Sequence, residues 1–333
     1  MKKFIVLTFA ALTGLVPAWA QHHSRSSGLL LVANQGDHSL SILDPDSGAM
    51  LAKVVSSEVR GHEVTASPDG KLAYLPIYGD SGVGLPGSDG RNIEVIDIAS
   101  HKIIATIDLG RPVRPHWAHF GPDGLLYVSA ELDKSVDVID PKTRKLIASI
   151  PTGQPESHMV AMTKDGKRAY TSNVGVGTVS VLDVGARKLV AVIPVAEVAQ
   201  RIALSVDEKS VFTADQRKAR LAVIDTASNK VAQWIELPAV GYGTAPTPDG
   251  KFLLVTMPGA NQVAVVDLAA MKVVKTLDVP SHPGEVLIRP DQSVAYVSCS
   301  GAGKVAVINF RDSRVEKVFD AGPGADGLAW ARN

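Results

Sequence analysis

Cysteine is nearly missing from this chain: Cys299 is the only one in 333 residues. That excludes an internal disulfide, a multi-cysteine zinc site and a Cys-x-x-Cys-His heme attachment. A surplus of one charge is missing too, since 34 Lys and Arg face 34 Asp and Glu. Binding nucleic-acid phosphates calls for excess cations, so that class is set aside. Beyond the N-terminus no apolar run approaches the roughly eighteen residues of a membrane-spanning helix. Local signatures of chemistry are also lacking: there is no Gly-x-Ser-x-Gly elbow, His-Glu-x-x-His pair, EF-hand loop or Walker motif. What remains is a chain 45% hydrophobic and 20% charged, enough apolar surface for a large core and too little charge for a disordered polymer.

The N-terminus reads as a leader. Lys2 and Lys3 precede an apolar run from Phe4 to Val16, and Pro17-Ala18-Trp19-Ala20 ends in the small-x-small pattern of a signal-peptidase site. Cleavage is expected after Ala20, leaving a flexible segment over 21–28 and one domain over 29–333. Without the two leader lysines 32 basic residues face 34 acidic ones, a net charge of −2. The expected product is a soluble, monomeric protein of the periplasm, with secretion as the alternative. No nucleic-acid partner and no membrane insertion are expected after cleavage. Cys299 falls in a strand-like apolar run and reads as a small buried hydrophobe.

What is abundant is repetition. The series Ser41-Ile42-Leu43-Asp44, Glu94-Val95-Ile96-Asp97, Asp137-Val138-Ile139-Asp140 and Ser180-Val181-Leu182-Asp183 continues with Ala222-Val223-Ile224-Asp225, Ala264-Val265-Val266-Asp267 and Ala306-Val307-Ile308-Asn309. The last residues lie 53, 43, 43, 42, 42 and 42 apart. Between them recurs an Asp turn, as in Pro68-Asp69-Gly70, Pro122-Asp123-Gly124, Lys164-Asp165-Gly166 and Pro248-Asp249-Gly250, in which Pro presets φ and Gly takes the left-handed position. Each unit holds four short strands, and seven such units predict an all-β, seven-bladed propeller. Three strands precede the first Asp turn, and one leftover run, Asp326 to Ala331, ends the chain. The N- and C-terminal strands are therefore expected to share the closing blade, which removes the exposed sheet edges of an open array.

The phrases Ser67-Pro68-Asp69-Gly70-Lys71 with Tyr74, Tyr127-Val128, Tyr296-Val297 and the Asp series resemble those of the YVTN-type seven-bladed propellers. The resemblance covers residues 29 to 331. It implies an exported or surface protein that binds ligands or partners; the shared residues are those that build blades, and fold alone names no function.

Differences between the repeats are where chemistry would reside. Seven residues before each turn Asp, at the mouth of the central channel, stand His62, His116, His158, Gln200, Tyr242, Gly284 and, by alignment of the last strand, Asp326. Neighbouring positions add Glu63, Arg114, His119, Glu156, Arg201, His282 and Glu285. Three imidazoles on consecutive blades are candidates to hold a divalent metal with an open position, to bind an anion, or to do acid–base work. A polar channel mouth equally accommodates histidines that are only solvated or bonded to neighbouring strands. The second unit carries about ten extra residues in a Gly-rich run, Tyr78 to Arg91, beside His62 and Glu63, a candidate lid. Arg111 and Arg114, just before His116, are candidates to steer an anion. His22, His23, His38 and His101 read as exposed, and Trp117, Trp234 and Trp330 as packed between blades.

These features support three functional readings. The first is binding of a small-molecule ligand, a metal or a periplasmic protein partner at the channel mouth. The second is a lactonase-type hydrolase using the mouth histidines, a chemistry that some seven-bladed propellers perform. The third is a carrier of a non-covalent haem-like cofactor ligated by the channel histidines, as in the related propeller domains of periplasmic nitrite respiration. That domain type has eight blades, against seven units here.

Overall fold

The computed structural model describes residues 28–80, 82–310 and 312–332. The leader, His22 and His23 lie outside the described residues. The strands form seven antiparallel four-stranded sheets, each in the order inner to outer, with two single-turn 3-10 helices, Val174–Val176 and Pro258–Ala260. The closing blade sets the C-terminal strand Ala325–Arg332 innermost, followed by Gly28–Asn34, Ser39–Leu43 and Met50–Val55. Blades two to seven then span 65–108, 115–151, 157–194, 199–236, 244–278 and 283–320. The expected seven-bladed propeller and its shared closing blade are both present.

Local chemistry explains the blade. In the Asp turns the carboxylate folds back onto its own loop: Asp165 Oδ1 accepts from Thr163 Oγ1 at 2.8 Å and from Lys167 N at 3.0 Å, and Gly166 sits at φ 67°. The second and third strands are buried on both faces. The outer strand is largely solvated and keeps one buried anchor next to its end, Ile107, Ile150, Ile193, Ile235, Leu277 or Phe319. Each such anchor contributes about 1.5–3 kcal/mol. The core lies between blades: Tyr74, Ile93 and Val95 of blade two, for example, pack on Ala118, Val128 and Ile139 of blade three.

Two glycines let the innermost strands crowd the axis. A Cβ on Gly243 would lie 2.1 Å from Gly284 O, and one on Gly327 would lie 2.5 Å from His62 O, contacts no side chain can make. Trp117 and Trp330 pack at blade interfaces as expected. Trp234 does not: it sits on an outer strand with the Arg220 guanidinium 3.8 Å over its ring, because that register faces solvent. Cys299 is buried and free, and burial pushes its thiol up to about 12. His38 and His101 are exposed turn residues.

Candidate functional site

The chain enters three inner strands through a tight turn. Arg114, Glu156 and His282 take φ of 52°, 54° and 58°, each two residues before a ring position. The left-handed backbone costs about 1–2 kcal/mol for a side chain other than Gly, and it carries all three residues to one end of the channel, here the upper mouth. The ring side chains meet there in two groups.

One half is aromatic. The His116 ring lies over His158, tilted by 35°, at 3.6 Å between centroids and meets His62 edge-on at 5.2 Å. Tyr78 covers His62 at 4.5 Å. His158 Nδ1 bonds Glu131 Oε1, whose other oxygen accepts from Tyr78 Oη at 2.7 Å, and His158 Nε2 lies 3.2 Å from Gln200 Nε2. His116, His158 and Glu131 are buried, whereas His62 Nε2 and His116 Nδ1 have no hydrogen-bond partner. Burial first, then the field of His158, Arg60 and Arg201, lowers the His62 pKa to about 3. His116 is held well below its ordinary value, again by burial first. Both imidazoles are therefore neutral at pH 7.

The three-histidine metal centre, one of the readings the ring allowed, is not formed. Among the described residues no group of three or more His, Cys, Asp or Glu side chains is arranged to hold a metal ion. The repeat sets the level of each residue in the channel, but the rings pack against one another, His116 tilted over His158 and edge-on to His62, and His158 Nδ1 is taken up by Glu131.

The other half is ionic. The buried Arg201 guanidinium places Nη2 at 2.7 Å from Glu63 Oε1 and 3.2 Å from Asp326 Oδ1, and Nη1 at 4.0 Å from Glu285 Oε2. It also lies 5.3 Å from the Tyr242 ring centroid. Burial opposes its charge, but Glu63, Tyr242, Asp326 and Glu285 outweigh burial and hold its pKa well above normal. Burial raises Glu63 well above the usual carboxylate range, against the pull of Arg201, and raises Glu285 as well. One arginine thus ties together five of the seven innermost strands, and with the imidazoles it fills the axis with side chains.

Open space lies to one side of this plug. A cavity of about 390 Å³ is lined by Gln35, Tyr242, His282, Gly284, Ser300 and Asp326 among others. It adjoins a more open one of about 530 Å³ that shares Gln35, His282, Ser300 and Gly324 and adds Arg60 and Asn261. His62, His116 and His158 are not among the lining residues, so of the predicted histidines only His282 stands on the wall. His119 belongs elsewhere: three residues beyond His116, at about 3.3 Å per residue, it comes out at the opposite, lower mouth.

The 78–91 insertion does reach the upper mouth. Arg114 Nε binds Asp89 Oδ1 at 2.6 Å and its Nη2 donates to Leu85 O at 2.7 Å. Arg111 pairs with Asp133 and Asp137. Neither cation is therefore free to steer an anion as the sequence had implied; the spacing showed the two arginines but not their acidic partners. Tyr78 and Glu131 were missed as site residues. Glu131 had one visible signal, an acid directly after the buried strand Leu126–Ala130.

A family model described as Cytochrome D1 heme domain matches residues 85–286, well over half the chain. This stretch holds Arg114, His116, His158, Gln200, Arg201, Tyr242, His282 and Glu285, and it leaves out His62, Glu63 and Asp326. In fold the chain is similar to hydrazine synthase of Kuenenia stuttgartiensis, with a TM-score of 0.72 and 20% identity over 89% of this chain and 99% of that one. It is also similar to dihydro-heme d1 dehydrogenase NirN in complex with DHE, with a TM-score of 0.67 and 15% identity over 94% of this chain and 77% of that one. At such identities the likeness speaks for the fold alone. No curated protein matches the sequence. The matching family is not the YVTN-type one that the blade phrases resemble; the seven-bladed architecture is common ground.

Proposed function

Because the chain belongs to the cytochrome D1 heme domain family, we propose that it binds a heme of that class at the upper mouth of its channel. The observation that carries this reading is the set of neutral imidazoles at the mouth, with His62 Nε2 and His116 Nδ1 buried and unpartnered. A neutral imidazole keeps a lone pair, which is what heme iron takes as an axial ligand. His282, exposed on the wall shared by the two cavities, would be the first candidate to hold the iron, and the unpartnered His62 Nε2 the second. The adjoining cavities fall within the range of about 300–1,000 Å³ that small-molecule sites occupy.

The remaining groups suit the edge of such a ligand. Arg60 lines the outer cavity and donates to Asp80 O, without an acidic partner among the described residues, so it is free to receive a carboxylate. Gln35, Asn261 and Ser300 offer polar contacts, and Tyr242 a flat apolar face. Bound heme would supply a redox-active iron that none of these side chains can replace. The leader-like segment over 1–20 supports the periplasm as the place of this binding. The test is titration with heme d1 followed by absorbance: His282→Ala should weaken binding at least tenfold and change the spectrum of the bound iron, and Arg60→Glu should weaken it without changing that spectrum. Tight binding with an unaltered spectrum in both His282→Ala and His62→Ala would remove the assigned ligands.

A further inference from the structure

We propose that the lower mouth of the channel is a second binding site, for a small organic anion with a flat apolar body. The site is independent of the upper mouth and stands whether or not a heme binds there. A cavity of about 550 Å³ opens where the innermost strands of the closing blade and of blades two, three and four end. Half-buried Phe120, Met162 and Trp330 supply its apolar wall, and His119, Lys164 and Arg332 its polar one.

Charge distinguishes this mouth from the upper one. There, Glu63, Glu285 and Asp326 surround a single arginine; here, none of the lining residues is acidic. The turn aspartates nearby are spent on their own loops. Asp69 accepts from Ser67 Oγ and Lys71 N, Asp123 from Leu125 N and Tyr127 Oη, and Asp165 from Thr163 Oγ1 and Lys167 N. Lys164 Nζ donates only to Val206 O, at 2.7 Å, while Glu208 accepts from the Lys164 backbone N–H rather than from its ammonium. Arg332 has no ion pair, and the His119 nitrogens have no hydrogen bond, among the described residues; the His119 ring stacks on Trp117 at 5.4 Å. Burial lowers the His119 pKa, so it enters as a neutral donor or acceptor beside Lys164 and Arg332.

Two cations without carboxylate partners, in a concave site with low-dielectric walls, focus a positive potential into the cavity. The aromatic and thioether groups opposite favour a planar apolar body over a hydrated inorganic ion. The ligand class that satisfies both walls is an aromatic carboxylate or its like.

The probe is 2-naphthoate, titrated calorimetrically into the full chain, with uncharged 2-naphthamide as its counterpart. Saturable one-to-one binding is expected, at least tenfold tighter for 2-naphthoate than for 2-naphthamide. The Lys164→Glu/Arg332→Glu variant should lose tenfold or more; both side chains are exposed, so the fold should tolerate the change. His282→Ala, at the far mouth, should bind the probe as the parent does. No saturable binding to the parent chain, equal binding of the amide, or undiminished binding by the charge-reversed variant would overturn the proposal.

Discussion

Arg201 is the residue on which the channel turns. Buried among Glu63, Glu285 and Asp326, it keeps three carboxyl groups together on the axis. Replacing it by Met should destabilise the fold by about 3–5 kcal/mol, since breaking a buried ionic group leaves its partners uncompensated; chemical denaturation measures this. Adding Glu63→Gln to that variant should recover part of the loss. The imidazoles give the molecule a pH dependence with a definite sign. His62 is held at about 3, and His116 is also lowered, so the unfolded chain binds protons that the folded chain refuses. Their contribution is complete above pH 6.5 and is lost progressively as the pH falls toward the folded values. At pH 5 His62 alone costs about 2 kcal/mol. The raised Glu63 and Glu285 act in the opposite sense: what they contribute is present in acid and declines as the pH rises through their folded pKa values. Thermal melts at pH 7 and pH 5 isolate the His62 share: relative to the parent, His62→Gln should lose less Tm on going from pH 7 to pH 5. An unchanged difference between pH 7 and pH 5 in that variant would mean that His62 does not exclude a proton. Much at this scale was legible in the sequence. A 42-residue register put Asp326 in the ring and Glu63, Arg201 and Glu285 at positions next to it, because strand position fixes height in the channel. It did not show which way each ring turns, and so it left a metal centre open as one reading where the structure has imidazoles packed on one another.

Among the elements, the 78–91 insertion departs most from the repeat. Its length was visible in the sequence, as was the face on which it emerges, but not what holds it. That is Arg114, through Asp89 and Leu85 O, above Tyr78 and the Glu131–His158 pair. No local pattern joins Arg114 to Asp89 or Tyr78 to Glu131, since those contacts depend on two blades docking. Loss of charge-assisted bonds of this kind costs about 1.5–3 kcal/mol. Arg114→Ala should therefore open the loop ten- to a hundredfold more often, read as faster protease cleavage within 82–88 with little change in global stability. Unaltered cleavage would mean that the loop is held by its base alone, through Arg60 O with Tyr78 N and the Arg60 guanidinium with Asp80 O.

For the whole molecule, architecture was readable because it is written seven times: alternating runs, Asp turns and complementary terminal strands leave one closed arrangement. Function was less readable because closure puts residues from all seven blades on one axis, and the chemistry lies in their combination. The resulting body has two unlike mouths, an upper one with imidazoles and carboxylates beside its cavities and a lower one that is cationic and aromatic. Heme binding at the upper mouth is the central claim. Its most direct measurement is the absorbance spectrum of the protein titrated with heme d1, together with the iron content of the complex after gel filtration. The account predicts one heme per chain retained through the column, with a shifted Soret band that is altered in His282→Ala. A spectrum that remains the sum of free heme and protein, with no iron carried through the column, would contradict it.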